Sequence, residues 1–185
     1  MSSNPTDQED AYFRKQDQEL RQRLRDQLTV AAGELGQKTL AGEVPIAERI
    51  KALGFIGDKA RVFDLMPLIH VAWADGSVSR QERATILDIV RGRGILPGSD
   101  AYILVESLLE ERPSREFLEQ SVAVLKLAVG DARAENIVEL CVQVASASGG
   151  FMNIGKVSDD ERKLIEAIAK QLGHTASDAF HRELG

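Results

Sequence analysis

Five carboxylates have a spacing that invites chemistry: Asp75, Glu82 and Glu161, with Asp159 and Asp160 beside the last. The first two lie in "AWADGSVSRQER", residues 72–83, a stretch that ends like an EF-hand calcium loop and begins like the end of a buried helix. With Glu82 as loop position 12, Gly76 stands at 6, Val78 at 8 and Asp75 at 5, the types such a loop uses for its turn, its apolar contact and its oxygen ligands. Positions 1 and 3 fall on Val71 and Trp73. Losing those carboxylates removes most of the ligand charge, so a complete EF-hand is excluded. A different divalent-cation site and a metal-free helix-to-helix turn remain.

The metal-free explanation is strong. Ser79-x-x-Glu82 and Ser158-x-x-Glu161 both spell a capping box, in which the serine oxygen accepts from the amide three residues on and the glutamate reaches back to the cap amide. Such a serine cap contributes about 1 kcal/mol. Gly76 suits the left-handed conformation that ends a helix, and Val78 can staple onto the helix that follows. Only Asp75 lacks a task. A carboxylate at a helix C-terminus is unfavourable by a few tenths of a kcal/mol, roughly. The amides at the start of the following helix or a bound cation would compensate it.

The two boxes belong to a larger repeat. "VAWADG" at 71–76 matches "VASASG" at 144–149, and "GSVSRQERATILDIV" from Gly76 matches "GKVSDDERKLIEAIA" from Gly155. The second copy carries the extra residues "GFMNIG" in its turn. Two helical hairpins of one design imply a pseudo-twofold core.

"AWADGSVSRQERATILDIV" resembles the TerB-like family, whose hallmark is Ala-x-Ala-Asp-Gly-x-[Ile/Val]-x-x-x-Glu at the junction of two helices, used twice in an all-helical domain. The family is named for a bacterial tellurite-resistance protein and also occurs beside J-domains in a co-chaperone. The similarity covers about residues 57–174. It implies divalent-metal binding through turn carboxylates and a place in stress-response assemblies rather than catalysis. Carried over, Asp75 and Glu82 match the first acidic pair and Glu161 matches the second glutamate. The second aspartate position holds Ser148 and the insertion lengthens that turn, which weakens a two-site and a shared-site metal model alike; Asp159 and Asp160 are the replacement oxygens, or more simply negative charge in a helix first turn.

These residues need helices to position them, and nothing in the chain reads as strand. Residues 10–36 form a charged, glutamine-rich helix with a thin stripe of Phe13, Leu20, Leu24, Leu28 and Leu35, suited to a partner or to self-association, or merely solvated. "QKTLAGEVP" reads as a linker and "IAERIKALG" as a short helix ended by Gly54. Helical spacing continues over 58–74, 79–93, 99–112, 114–129, 131–147, 158–172 and 175–184. Within the first of these, Pro67 either kinks the helix or opens a second piece capped by Asp64. Short connections make successive helices antiparallel neighbours. The expected architecture is an all-α bundle of seven to eight helices on two pseudo-symmetric hairpins, with residues 1–40 as an appended helix and linker and 41–185 as the domain.

Composition narrows the function. The 185 residues are 43% hydrophobic and 28% charged, enough for one domain with a sizeable core. A net charge of −6 argues against nucleic acid, whose phosphates need a basic surface. The single Cys141 lies in the apolar run "IVELCVQVA" and reads as a buried structural thiol. No run reaches about 18 apolar residues and the start is polar, so the expected location is the cytoplasm. No phosphate-binding glycine loop, HExxH spacing or nucleophile elbow appears. His70 reads as a buried histidine satisfied by backbone, and Trp73 as core at the hairpin junction. The expectation is a non-catalytic domain with a protein partner and a candidate divalent metal ion at Asp75, Glu82 and Glu161. The alternative is a metal-free interaction module working through its N-terminal helix.

Overall fold

The computed structural model describes residues 44–147 and 157–185, together with isolated helical positions between 19 and 30. Most of the expected N-terminal helix, nearly all of the linker after it, Ser148 and the "GFMNIG" insertion lie outside the described residues.

Eight helices are complete among the described residues: α1 (Ile46–Ala52), α2 (Met66–Ala72), α3 (Arg80–Gly92), α4 (Asp100–Glu110), α5 (Arg115–Ala128), α6 (Asp131–Ala147), α7 (Asp159–Leu172) and α8 (His174–Leu184). No strand occurs among them, as the spacing predicts. Helix starts carry local signals. Ser79, Ser99, Ser114 and Ser158 each accept a hydrogen bond from the amide three residues on. Both capping boxes are fully formed. Gly54 and Gly94 end α1 and α3 in the same way. Phe55 N–H bonds to Ile50 C=O while Gly54 N–H bonds to Lys51 C=O, and Ile95 and Gly94 repeat the pair with Val90 and Arg91. This crossed arrangement needs a left-handed residue, and glycine supplies it at φ 89° and 71°.

The segment expected as one helix over 58–74 divides. Residues Gly57–Leu65 wind as a 3-10 helix, and α2 starts at Met66 with Pro67 in its first turn. An α-helix through this point would need an N–H that Pro67 lacks and would drive its ring into the Phe63 carbonyl. Asp64 does not cap the second piece. The cap position is Leu65, without a side-chain bond, and Asp64 is buried at 8% exposure. Its Oδ1 accepts from Arg93 Nη1 at 2.7 Å, and its Oδ2 accepts from Arg133 Nε at 2.9 Å and from Arg133 Nη2. That clamp fastens the 3-10 segment to the end of α3 and the start of α6.

α2 is the most enclosed helix: Met66, Leu68, Ile69 and Val71 are wholly buried. It packs on α6 and also meets α3, α5 and α7. Phe55 joins the layer from α1, edge-on to Phe63 with ring centres 4.9 Å apart and stacked on Phe117 at 6.1 Å. Trp73 closes α2 at 9% exposure and donates its indole N–H to Leu108 C=O at 2.9 Å. The junction tryptophan is therefore core, as expected. α8 lies across α6 and α7, where Arg182 bridges Glu135 and Glu139. Cys141 is fully buried in α6, and burial pushes its thiol pKa well above the ordinary value.

Candidate functional site

The first turn is built from its own backbone outward. α2 ends at Ala72, Gly76 takes φ +96°, and Gly76 N–H bonds to Trp73 C=O at 3.1 Å. A side chain is strained at that φ, which fixes glycine there. Asp75 projects into solvent, and its Oδ1 accepts from the Ser77 amide at 3.1 Å. The residue that lacked a structural task thus has one: it folds the turn locally, through the turn's own amide rather than those of the next helix.

Glu82 and Glu161 occupy equivalent places. Each is only 3% exposed. Glu82 Oε2 accepts from Ser79 N–H at 2.8 Å and Glu161 Oε2 from Ser158 N–H at 2.7 Å. The returning bonds from the Glu82 and Glu161 amides to the serine oxygens are both 3.2 Å. Burial raises the Glu82 carboxyl above its ordinary value, its bonds with Ser79 oppose this, and the negative charges of Glu161 and Asp75 raise it further. The folded chain therefore places Glu161 and Asp75 where each acts on Glu82. Asp159 and Asp160 are exposed at the start of α7, and Asp160 lies 4.0 Å from Lys163.

These hard oxygen donors are chemically suited to a divalent cation such as calcium or magnesium. They do not form a closed cage. Among the described residues, no three His, Cys, Asp or Glu side chains are grouped so as to hold a metal ion. One oxygen of each of the three carboxylates already serves a backbone amide.

A cleft of about 520 Å³ lies alongside, between α2, α5 and α7. His70, Arg112, Arg115 and Glu119 line it, with Leu118 and Leu164 as apolar lining. Backbone does not satisfy His70, against expectation: its Nδ1 is buried and has no hydrogen-bond partner. Burial lowers the imidazole pKa, the charge of Glu119 raises it, and those of Arg112 and Arg115 lower it. Sequence reasoning did not single out the arginines. They come from the approach to α5 and its first residue, and only the fold carries them to a histidine on α2.

No described helix is long and apolar enough to cross a membrane. No curated protein and no solved structure matches the chain. The family model described as "Tellurite resistance protein TerB" matches residues 65–182. That match takes in both capped turns and every helix from α2 onward, except for the last two residues of α8. It begins later and ends later than the similarity seen in the motifs, about residues 57–174. Spanning well over half of the 185 residues, it places this chain in the TerB family.

Proposed function

We propose that the protein is a non-catalytic, cytoplasmic TerB domain that acts by binding within a stress-response assembly concerned with tellurite or metals, and that its paired turns take up a hydrated divalent cation. Asp75, Glu82 and Glu161 are the ligands in this reading. One observation carries it: Glu82 is buried, and the charges of Glu161 and Asp75 act on it to disfavour its ionised form. A capping box requires one glutamate per helix start but no second carboxylate nearby. A cation relieves that repulsion. Chelator-stripped protein should therefore melt higher when calcium, magnesium, manganese or zinc is added singly. At 100 times its dissociation constant the effective ion adds about 2.7 kcal/mol, or several degrees. Asp75→Asn and Glu82→Gln should each abolish the shift. If no ion raises the melt, the cation reading fails and the turns are capping devices only.

A second reading has its own support. Glu19, Gln22, Arg23, Asp26, Gln27 and Val30 are helical and exposed, Val30 at 61%. On this reading the N-terminal helix docks a protein partner or a second copy. Deleting residues 1–40 should then lower the sedimentation mass or remove a partner without changing the melt of the remaining domain. An unchanged mass and partner set would end it.

A further inference from the structure

We propose that the cleft between α2, α5 and α7 binds a small organic monocarboxylate with a short aliphatic body. Its volume, about 520 Å³, lies within the range of small-molecule sites, roughly 300–1,000 Å³.

The two guanidiniums that line the cleft differ. Arg115 is engaged by Glu119, its Nε 2.7 Å from a carboxylate oxygen. Arg112 forms no ion pair among the described residues, although its charge reaches the His70 ring. A guanidinium facing a carboxylate can donate two parallel N–H bonds, which fixes the anion's orientation as well as its charge. His70 supplies the second element. Burial and the neighbouring arginines favour the neutral ring, and its buried Nδ1 has no partner. That atom is closed to solvent, so what His70 offers the cleft is a neutral ring edge whose environment a bound anion would alter. Leu164, half-buried, offers apolar surface for the rest of the molecule.

The charge balance selects among anions. Glu119 and Asp160 line the cleft with the two arginines, so the formal charge of the lining sums to zero when His70 is neutral. A multiply charged phosphate would meet two carboxylates as well as two guanidiniums. A monocarboxylate can sit on the Arg112 side and turn its alkyl group toward Leu164.

Butyrate tests this directly, with inorganic phosphate and butylammonium as the competing arms, each against sodium chloride at matched ionic strength. The readouts are the imidazole proton resonances of the three histidines, with His70 assigned by its loss in His70→Gln, and the fluorescence of the single Trp73. Butyrate should shift the His70 signal saturably at millimolar concentration, while His174 and His181 stay unmoved. Arg112→Gln should weaken binding about tenfold or more, the effect of losing one charge-assisted contact. Arg80→Gln, an exposed change outside the cleft, should leave binding as it was. No saturable shift, a shift reproduced by sodium chloride, tighter binding of phosphate or butylammonium, or wild-type affinity in Arg112→Gln would each overturn the proposal.

Discussion

Replacing Asp64 with alanine should cost about 3 kcal/mol, although the residue lies outside both candidate sites. The magnitude follows from its partners. Asp64 is 8% exposed and receives three hydrogen bonds from two arginines. A hydrogen bond to a charged group contributes about 1.5–3 kcal/mol when shielded. The Arg93 side chain is 24% exposed and keeps most of that value, whereas Arg133 is 57% exposed. Solvent screening brings the Arg133 contribution below about 1 kcal/mol. Removing the carboxylate also leaves Arg93 partly buried without its counter-charge, a known route to a large loss. Urea unfolding followed by Trp73 fluorescence measures the difference, and a calorimetric midpoint should fall on the order of 6–12 °C. Arg93→Gln should cost more than Arg133→Gln. Asp88→Ala, at a pair whose aspartate side chain is 70% exposed, should cost less than about 0.5 kcal/mol. A loss below about 1 kcal/mol in Asp64→Ala, or equal losses at the two arginines, would refute the argument that burial decides the strength of this clamp.

Three further outcomes follow from the same geometry. Because the folded Glu82 carboxyl is raised above its ordinary value near 4.5, the folded state binds its proton more tightly than the unfolded chain does. Wild type should gain stability relative to Glu82→Gln as pH falls from the raised value toward 4.5, seen in paired urea melts at neutral and mildly acidic pH; a pH-independent difference would contradict it. Ser79→Ala and Ser158→Ala should each lose about 1 kcal/mol in the same assay, and their effects should add only partly if the facing glutamates are coupled. Cys141, fully buried with its thiol pushed up, should react with a thiol reagent only as fast as the native protein unfolds.

The parts of this fold legible in the sequence were those written in local chemistry. Serine three residues before an amide, glycine after the last apolar turn and apolar side chains at helical spacing specify a helix with no knowledge of its neighbours. The short helix before Gly54 and the helices from α3 to α8 accordingly lie where the pattern puts them, to within a residue or two at their ends. Pro67 was readable as a break, but not the 3-10 winding before it, which depends on what the segment touches: Asp58 in that stretch accepts from the Ala101 amide of α4. Asp64 read as a cap because its partners lie 29 and 69 positions away, beyond any pattern of spacing. The carboxylates of the two turns were legible as candidates through the repeat, whereas their mutual influence required the folded chain. The cleft was not legible at all. His70, Arg112 and Leu164 belong to three segments that only packing brings together.

The capping boxes also bear on how such a chain can change over time. Each begins its helix with instructions contained in four consecutive residues, so α7 starts at Asp159 whatever precedes Ser158. A turn placed before such a self-contained start can be lengthened or respelled without displacing the helix register behind it. The six additional residues "GFMNIG" in the second turn, absent from the first, are what that freedom permits. Two hairpins of one design can then differ in their turns while the helices behind them keep their register. The first turn, exposed from Asp75 to Ser77, is where a peptide tag or a foreign loop could be grafted at least cost to the fold.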